Sequence, residues 1–557
     1  MLRVYTFFKK IAVLLFVLVS ISMANGLNMQ PDERHSKLYA FFNDHNNSLP
    51  VTVMGEQLGS IMRVQEFYTA RHYTMAWGDQ HTYSDEAYAL IKVLENAEMQ
   101  GYDTDRYHLE ILQDALLGYS DLYTIEPSQR VLIDLLFSDA YLTYTLYLHA
   151  SCIDPKIFFP KWEQISSTNL THILQAALDM QDIEGSVAIV KHTNPDFLRL
   201  QKAKSSYQSL KDKGGWAKIK ERFIIKKMDR GKEVRLIRQR LDAEALLKYS
   251  DELNATLFDS TLEEAIRQFQ FHHGLKADGI VGPNTISMMN IPVENKIRRI
   301  DINLERMKWL LPYQQERYIL VNIPDFTLKL IEHNKTVLSM KAIVGKKERP
   351  TPILSAKLSY LVINPYWKVP ETVIKEDILP ALRKSPSFLK QKNMKVYLDW
   401  NGTQEVNASS VKWSDVKAGR HPYMFRQEPG ANNALGYIKF VMPNRQDIYI
   451  HDTPHQALFK RASRMYSSGC IRAEKPFELA KELLKENPEW TYRNLLNQII
   501  KAKRKEIILD KKVPVYITYQ TAWADQNGTV HFRDDIYGYD EMMAPFQCTK
   551  SSPYFTR

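Results

Sequence analysis

The stretches YIHDTP (residues 449–454) and SSGCIR (residues 467–472) decide how this chain is interpreted, because they bring an imidazole and a thiol into one short window. Cys470 is a candidate nucleophile and His451 a candidate base. A free thiol has a pKa of about 8.5, and a neighbouring imidazole commonly activates it. Gly469 carries no Cβ, so backbone N–H groups beside the nucleophile can approach a substrate oxygen and form an oxyanion hole. The window therefore predicts acyl transfer by a cysteine.

Two other interpretations of these residues are open on the sequence alone. A lone cysteine is more often a small buried hydrophobe than a nucleophile. His451, His455 and Cys470 could also form a zinc site, but Pro454 argues against a helix that presents both histidines, and no Cys-x-x-Cys accompanies them. We expect neither a metal nor a cofactor.

The window resembles the signature of the L,D-transpeptidases with a YkuD-type catalytic domain, in which a His is followed some fifteen residues later by Ser/Thr-His-Gly-Cys-hydrophobic-Asn. Ser468 stands where that signature has its second His, and Arg472 stands where it has Asn. Both departures resemble the large Gram-negative YcbB (LdtD) subgroup. Further landmarks of that subgroup follow in the same order, at residues 322–324, 343–345, 351–352, 364–370, 427–430, 432–436 and 439–440.

The resemblance implies a role for each residue of the site. It implies that Cys470 is the nucleophile and His451 the base, and that the backbone carbonyl of Asp452 orients His451. Ser468 and Gly469 would supply the oxyanion loop.

The resemblance also implies substrate contacts. Trp367 and Tyr449 match positions that line the donor cleft, although plain aromatic residues are more often core. Arg472 could bind a substrate carboxylate, or it could form a structural salt bridge.

The activity implied by the resemblance is the formation of 3-3 crosslinks between diaminopimelate residues of peptidoglycan, through a cysteine thioester. Partners would be peptidoglycan stem peptides and glycan, carbapenem inhibitors and cell-wall synthesis proteins. A carboxypeptidase or endopeptidase that uses water as acceptor, and a noncatalytic wall-binding protein, are the alternatives. The acceptor amine stays open among diaminopimelate, a lipoprotein Lys and a free D-amino acid.

Composition and length agree with a large exported protein. The 557 residues are 44% hydrophobic, and the net charge of +10 suits an anionic partner such as the cell wall or a membrane surface. No nucleic-acid motif is present. Residues 1–24 read as a signal peptide, which predicts the periplasm with the signal either cleaved or retained as an inner-membrane anchor. Whether Cys152 and Cys548 pair is left open.

The sequence predicts an α+β multidomain fold. A helical scaffold is expected over residues 31–230 and a three-helix module resembling peptidoglycan-binding domains over residues 233–290. The β-rich catalytic domain is expected over residues 315–545, with a helical lid inserted at about 370–426. Three local predictions accompany this division: a hairpin turn at residues 333–335, a capping box from Ser260 to Glu263, and a helix that begins at Pro476.

Overall fold

The computed structural model describes residues 33–44, 51–79, 82–99, 104–117, 127–151, 153–160, 162, 169–191, 194–220, 224–248, 255–310, 316–385, 387–417 and 419–545. The predicted signal segment, Cys152 and Cys548 lie outside these residues. The chain forms two compact units: residues 1–158, 166–193 and 543–557 form the first, and residues 159–165 and 194–542 form the second.

The first unit is helical around one buried helix. Its helices are α1 Glu33–Asp44, α2 Ile61–Ala70, α3 Asp85–Met99, α4 Leu109–Leu117, α5 Pro127–His149, α6 Leu170–Asp179 and α7 Ile183–Val190, and its strands are β1 Thr52–Val53 and β2 Glu56–Gln57. By length and composition residues 129–149 of α5 could cross a membrane, yet 89% of the stretch is buried inside the protein. This is the burial of a core helix, as its nearly continuous apolar sequence predicts.

Polar contacts on α5 fix loops of the first unit. The Asp139 carboxylate accepts hydrogen bonds from the N–H groups of Gly59 and Ser60, at 2.9 and 2.7 Å. His108 lies 3.0 Å from the same carboxylate and 3.0 Å from that of Glu56, and these two partners raise its pKa despite burial. Buried carboxylates need such partners because desolvation is costly. These groups therefore serve structure.

The second unit begins with five helices. They are α8 Pro195–Asp212, α9 Lys232–Ala243, α10 Ser260–His272, α11 Pro283–Met289 and α12 Val293–Lys308. Helices α9, α10 and α11 share a core that includes Ile237, Phe269 and Ile286. Helix α8, which the sequence places in the scaffold, packs instead against α12 in the second unit, through residues such as Leu200 and Ile300.

The N-cap of α10 differs from the sequence-based prediction. Asp259, not Ser260, is the cap: its carboxylate accepts a hydrogen bond from Leu262 N–H at 2.8 Å and another from Arg238 at 2.6 Å. Ser260 is the first residue inside the helix. Asp259 and Ser260 are adjacent and both are common N-cap residues, so the sequence leaves the start of α10 ambiguous by one position. The ion pair with Arg238 favours Asp259 as the cap.

This cap gives a stability prediction. We expect Asp259→Ala to lower the free energy of unfolding by about 1 to 2 kcal/mol, because it removes the cap and a partly buried ion pair. Ser260→Ala is the matched control and should change stability by less than about 0.5 kcal/mol. Urea unfolding of both variants measures the difference, and equal losses would contradict the assignment.

A sheet that closes on itself follows these helices in the second unit. Its strands are β3 Arg317–Asn322, β4 Thr327–Glu332, β5 Lys335–Gly345, β6 Leu354–Ile363, β11 Ile438–Val441, β12 Ile450–His451, β13 Met465–Ser467, β14 Ile471–Ala473 and β15 Lys505–Thr518. The strand order is β13-β5-β14-β12-β11-β6-β15-β3-β4, and β4 also pairs with β5. The predicted hairpin turn is confirmed, since His333 and Asn334 have φ of 47° and 62° between β4 and β5.

The insertion between β6 and β11 has its own sheet and core. It contains α13 Glu371–Val373, a π-helix at Ile374–Ile378, α14 Leu379–Lys384, α15 Phe388–Gln391, and the strands β7 Trp367–Lys368, β8 Met394–Tyr397, β9 Glu405–Val406 and β10 Met424–Gln427, in the order β7-β10-β8-β9. Its core includes Ile378, Trp413 and Phe425. The helices agree with the predicted lid; the four-stranded sheet is an addition that the sequence did not reveal, because its strands are only two to four residues long.

The remaining elements complete the unit. They are α16 Pro476–Leu483, which begins at Pro476 as predicted, α17 Tyr492–Ile500, the hairpin β16 Ala522–Ala524 and β17 Val530–Phe532, and α18 Tyr539–Met543. Strands β12 and β14 are adjacent in the sheet, and Cys470 directly precedes β14. The fold thereby places the predicted base and nucleophile on neighbouring strands.

Candidate active site

Three neighbouring strands present charged and titratable side chains on one face of the sheet. Lys439 on β11 pairs with His451 on β12, and His451 pairs with Arg472 on β14. Residues that pair directly across strands point to the same face. His451 therefore lies between two cations.

The imidazole of His451 is buried and neutral. Burial, followed by the charges of Arg472 and Lys439, lowers its pKa to about 3. Its Nδ1 lies 2.6 Å from the carbonyl oxygen of Asp452. Since a carbonyl can only accept, Nδ1 carries the proton and Nε2 keeps a free lone pair. His451 is thus in the tautomer that a general base requires.

Asp452 orients the base through its backbone alone. Its carboxylate accepts hydrogen bonds from the N–H groups of Thr453 at 2.7 Å and Tyr437 at 2.9 Å. The side chain also packs against Gly436, where a Cβ would come within 2.3 Å of the carboxylate. The Asp452 carboxylate therefore binds backbone N–H groups of the turn, and the Asp452 backbone carbonyl is the group that faces the imidazole.

The Cys470 thiol lies beside Tyr449 and Asp447. Burial raises the pKa of Cys470, and the neighbouring Tyr449, Lys439 and Arg472 partly offset this effect. The thiol lies 3.8 Å from the Asp447 carbonyl oxygen, to which it donates. The described residues contain no hydrogen bond between Cys470 and His451, which differs from the direct contact that the sequence suggests. Catalytic contacts often tighten only when substrate binds.

Tyr449 and Trp367 link the thiol to the lid. Burial raises the pKa of Tyr449, and the neighbouring Trp367 indole partly offsets this effect. Trp367 also packs against the lid core. Lys439, which the sequence analysis did not assign to the site, lies 3.8 Å from the centre of the Tyr449 ring. Tyr449 therefore lies beside the thiol, and Trp367 lies beside Tyr449.

The loop that carries the nucleophile is shaped by hydrogen bonds to its backbone. Ser467 Oγ donates to the Cys470 carbonyl at 2.5 Å and accepts from Gly469 N–H at 3.2 Å. Gly469 has φ of +110°, which favours glycine. Its N–H is engaged, whereas within the described chain the N–H groups of Ser468 and Cys470 have no hydrogen-bond partner. Those two N–H groups are the free donors of the loop.

Arg472 has no acidic partner in the part of the chain that the structure describes, and its buried Nε makes no hydrogen bond there. Burial lowers its pKa, and the neighbouring Cys470 and Tyr449 partly offset this. Of the two roles left open by the sequence, a structural salt bridge is therefore not observed. The guanidinium is available to an anionic ligand.

A second polar region lies apart from this site. Lys296 is buried against Glu244 and His273, and burial lowers the pKa of Lys296 to about 7. A cavity of about 180 Å³ adjoins it. The ammonium already has its partners, and Arg240 stacks 3.6 Å from the Trp216 ring centre in the same cluster. These contacts join helices, and we assign the cluster to packing.

The protonation states give a pH prediction. Because the pKa of Cys470 is raised and that of His451 is near 3, the resting pair is thiol and neutral imidazole. We expect alkylation of Cys470 by iodoacetamide to rise with pH above about 8.5, with no step between pH 5 and 7. Tyr449→Phe should move this rise about one unit higher, since the Tyr449 side chain lowers the pKa of Cys470.

Mass spectrometry of the Cys470 peptide measures the alkylation rate. The control is Tyr466→Phe, which removes a half-exposed hydroxyl on β13. A rise centred near pH 6 would indicate a preformed thiolate–imidazolium pair and would contradict these assignments.

Comparisons with known proteins match three segments of the chain to known domains. Residues 316–517 match the L,D-transpeptidase catalytic domain (YkuD), residues 62–203 match a scaffold domain, and residues 230–289 match a candidate peptidoglycan binding domain. A Haemophilus influenzae protein named as a candidate L,D-transpeptidase is 36% identical over 249 residues, which are 45% of this chain and 49% of that protein. The chain thus spans about half the length of this curated relative.

Solved structures of L,D-transpeptidases are more distant. The crystal structure from Xylanimonas cellulosilytica is 12% identical, with 53% of this chain and 97% of that chain covered and a TM-score of 0.17. The one from Stackebrandtia nassauensis is 13% identical, with 53% and 96% covered and a TM-score of 0.21. On the sequence matches, residues 316–517 of this chain are similar to the YkuD-type L,D-transpeptidase catalytic domain.

Proposed function

We propose that this protein is a peptidoglycan L,D-transpeptidase that forms 3-3 crosslinks between diaminopimelate residues through a thioester on Cys470. The observation that carries this proposal is that adjacent strands of the matched catalytic domain bring together a half-buried thiol, just before β14, and a neutral, correctly protonated imidazole on β12. The candidate peptidoglycan binding domain supports peptidoglycan as the partner.

The first half of the proposed reaction forms the acyl-enzyme. The thiol turns from the Asp447 carbonyl toward His451 Nε2, which takes its proton as the sulfur attacks the carbonyl carbon of diaminopimelate. The free N–H groups of Ser468 and Cys470 stabilise the oxyanion. Collapse breaks the bond to D-Ala, and His451 returns the proton to the leaving amine.

The second half transfers the acyl group. The side-chain amine of another diaminopimelate attacks the thioester, His451 accepts its proton, and the carbon–sulfur bond breaks. The proton then returns to the sulfur. The unpaired Arg472 guanidinium would bind a carboxylate of the stem peptide, and Trp367 and Tyr449 would line the donor side.

Hydrolysis by the same groups is the alternative, with water in place of the amine. The insertion over residues 370–426, which we predict to be a lid, would favour transfer, since a closed lid excludes water from a thioester. Export to the periplasm, retention on the inner membrane, inhibition by carbapenems and membership of the YcbB subgroup remain predictions from the sequence.

A disaccharide-tetrapeptide substrate tests the proposal. Purified protein should release D-Ala and produce a crosslinked dimer, which chromatography and mass spectrometry identify. Tripeptide without dimer would show a carboxypeptidase instead. Binding of peptidoglycan with no release of D-Ala would indicate a noncatalytic wall-binding protein.

A further inference from the structure

One arginine joins the lid to the loop that carries the nucleophile. The Arg349 guanidinium donates to Ser468 Oγ at 2.8 Å, to the Asp377 carboxylate at 2.9 Å and, through Nε, to the Glu376 carboxylate at 2.9 Å. Ser468 lies two residues before Cys470, and both acids belong to the π-helix of the lid. A single side chain therefore spans the two elements.

Arg349 lies in a segment, residues 346–351, that runs alongside the nucleophile loop in space. Lys346 N–H donates to the Ser467 carbonyl at 3.0 Å, and Thr351 Oγ1 donates to the Gly469 carbonyl at 2.7 Å. The Arg349 contact with Ser468 falls between these two. The segment therefore contacts Ser467, Ser468 and Gly469. Of the side chains that make these contacts, only Arg349, which binds Ser468, also binds the lid carboxylates.

The burial of the three charged groups is unequal. The Arg349 side chain is 9% exposed, whereas those of Glu376 and Asp377 are 49% and 51% exposed. Exposed ion pairs contribute little to stability, but an arginine fork that binds two carboxylates and a hydroxyl fixes geometry. π-helical turns are also frequent at functional sites. The arrangement suits a buried arginine from which the two exposed lid carboxylates can move away.

We propose that Arg349 is a positioning residue that couples closure of the lid to the arrangement of the nucleophile loop. With the lid closed, Glu376 and Asp377 hold the guanidinium against Ser468, so the free N–H groups on either side of Gly469 stay aligned. When the lid opens, Ser468 loses this restraint while water gains access to the thioester. This inference rests on the proposed function and adds a control over the choice between amine and water.

Two sets of variants test the coupling from opposite sides. Arg349→Gln removes the bridge, and the double variant Glu376→Gln/Asp377→Asn removes only its lid anchor. We expect each to increase Cys470 alkylation by iodoacetamide about fivefold and to raise the ratio of tripeptide to crosslinked dimer by a similar factor. The control is Glu405→Gln, which removes another lid carboxylate, paired with Lys395 at 2.8 Å and without contact to the nucleophile loop.

A charge exchange separates coupling from simple structural damage. Arg349→Glu should show the same increases, and adding Glu376→Arg to it should reverse them at least partly. Unchanged alkylation and product ratio in both Arg349→Gln and the lid double variant would overturn the proposal, as would equal increases in Glu405→Gln. Alkylation needs no crosslinking activity, so a failure of the proposed function would still leave the coupling decided by the labelling rates.

Discussion

Cys470→Ala is expected to abolish crosslink formation, with a loss of about 10³-fold or more in rate. The thioester cannot form without the sulfur, and the remaining N–H donors and Arg472 can only bind the substrate. Chromatographic detection of the crosslinked dimer measures the loss. Because the thiol is only partly buried, the variant should fold normally and should still bind peptidoglycan through other surfaces.

Ser467→Ala is the companion variant for this prediction. It leaves the sulfur in place but removes the hydroxyl that holds the Cys470 carbonyl and the Gly469 N–H. We expect a loss of about tenfold to 10²-fold, smaller than that of Cys470→Ala. Dimer formation by Cys470→Ala at more than about a tenth of the native rate would contradict the assignment of the nucleophile.

His451→Gln is expected to lower kcat by about 10²–10⁴-fold. The change removes the Nε2 lone pair that accepts the thiol proton, and the raised pKa of Cys470 leaves little thiolate to act without a base. The residual rate should increase with pH, because hydroxide then generates the thiolate. Steady-state release of D-Ala from pH 6 to 10 measures both effects.

The matched control is His455→Gln. His455 is exposed and four residues farther along the chain, so its loss should leave kcat within about twofold. Equal losses in the two histidine variants would contradict the role of His451 as the base. They would instead indicate a site in which both His451 and His455 take part.

The sequence predicted correctly those elements whose structure is determined by a few neighbouring residues. The two-residue turn at His333 and Asn334 and the helix that begins at Pro476 follow from turn and helix-start preferences, and both are present. The cap of α10 was misplaced by one residue because Asp259 and Ser260 can both cap, and the deciding ion pair comes from Arg238, 21 residues away. Short strands in the lid gave no periodic signal.

The site was predicted where its residues are close in sequence. Cys470 and His451 lie on neighbouring strands, and the carbonyl of Asp452 faces the imidazole. Trp367, which is distant in sequence, was identified through the family resemblance, whereas Lys439 and Arg349 were not identified as members. Lys439 lies in the site because it pairs with His451 across neighbouring strands. Arg349 contacts Ser468 although it lies 119 positions earlier in the chain. No spacing rule links such positions.

The protonation states of the site also needed the structure. An exposed imidazole near a thiol would favour a thiolate, but burial and the adjacent Arg472 keep His451 neutral. The general-base activation that the sequence predicts therefore starts from a protonated thiol and a neutral imidazole. The burial of His451 depends on the packing of the whole sheet, so it cannot be predicted from the 24 residues that run from Tyr449 to Arg472.

The central claim is that Cys470 carries the acyl group, and the mass of the protein after exposure to meropenem tests it most directly. We predict one added meropenem per chain, located on the Cys470 peptide and missing from Cys470→Ala. An adduct on any other residue, or an adduct that persists in Cys470→Ala, would contradict the account.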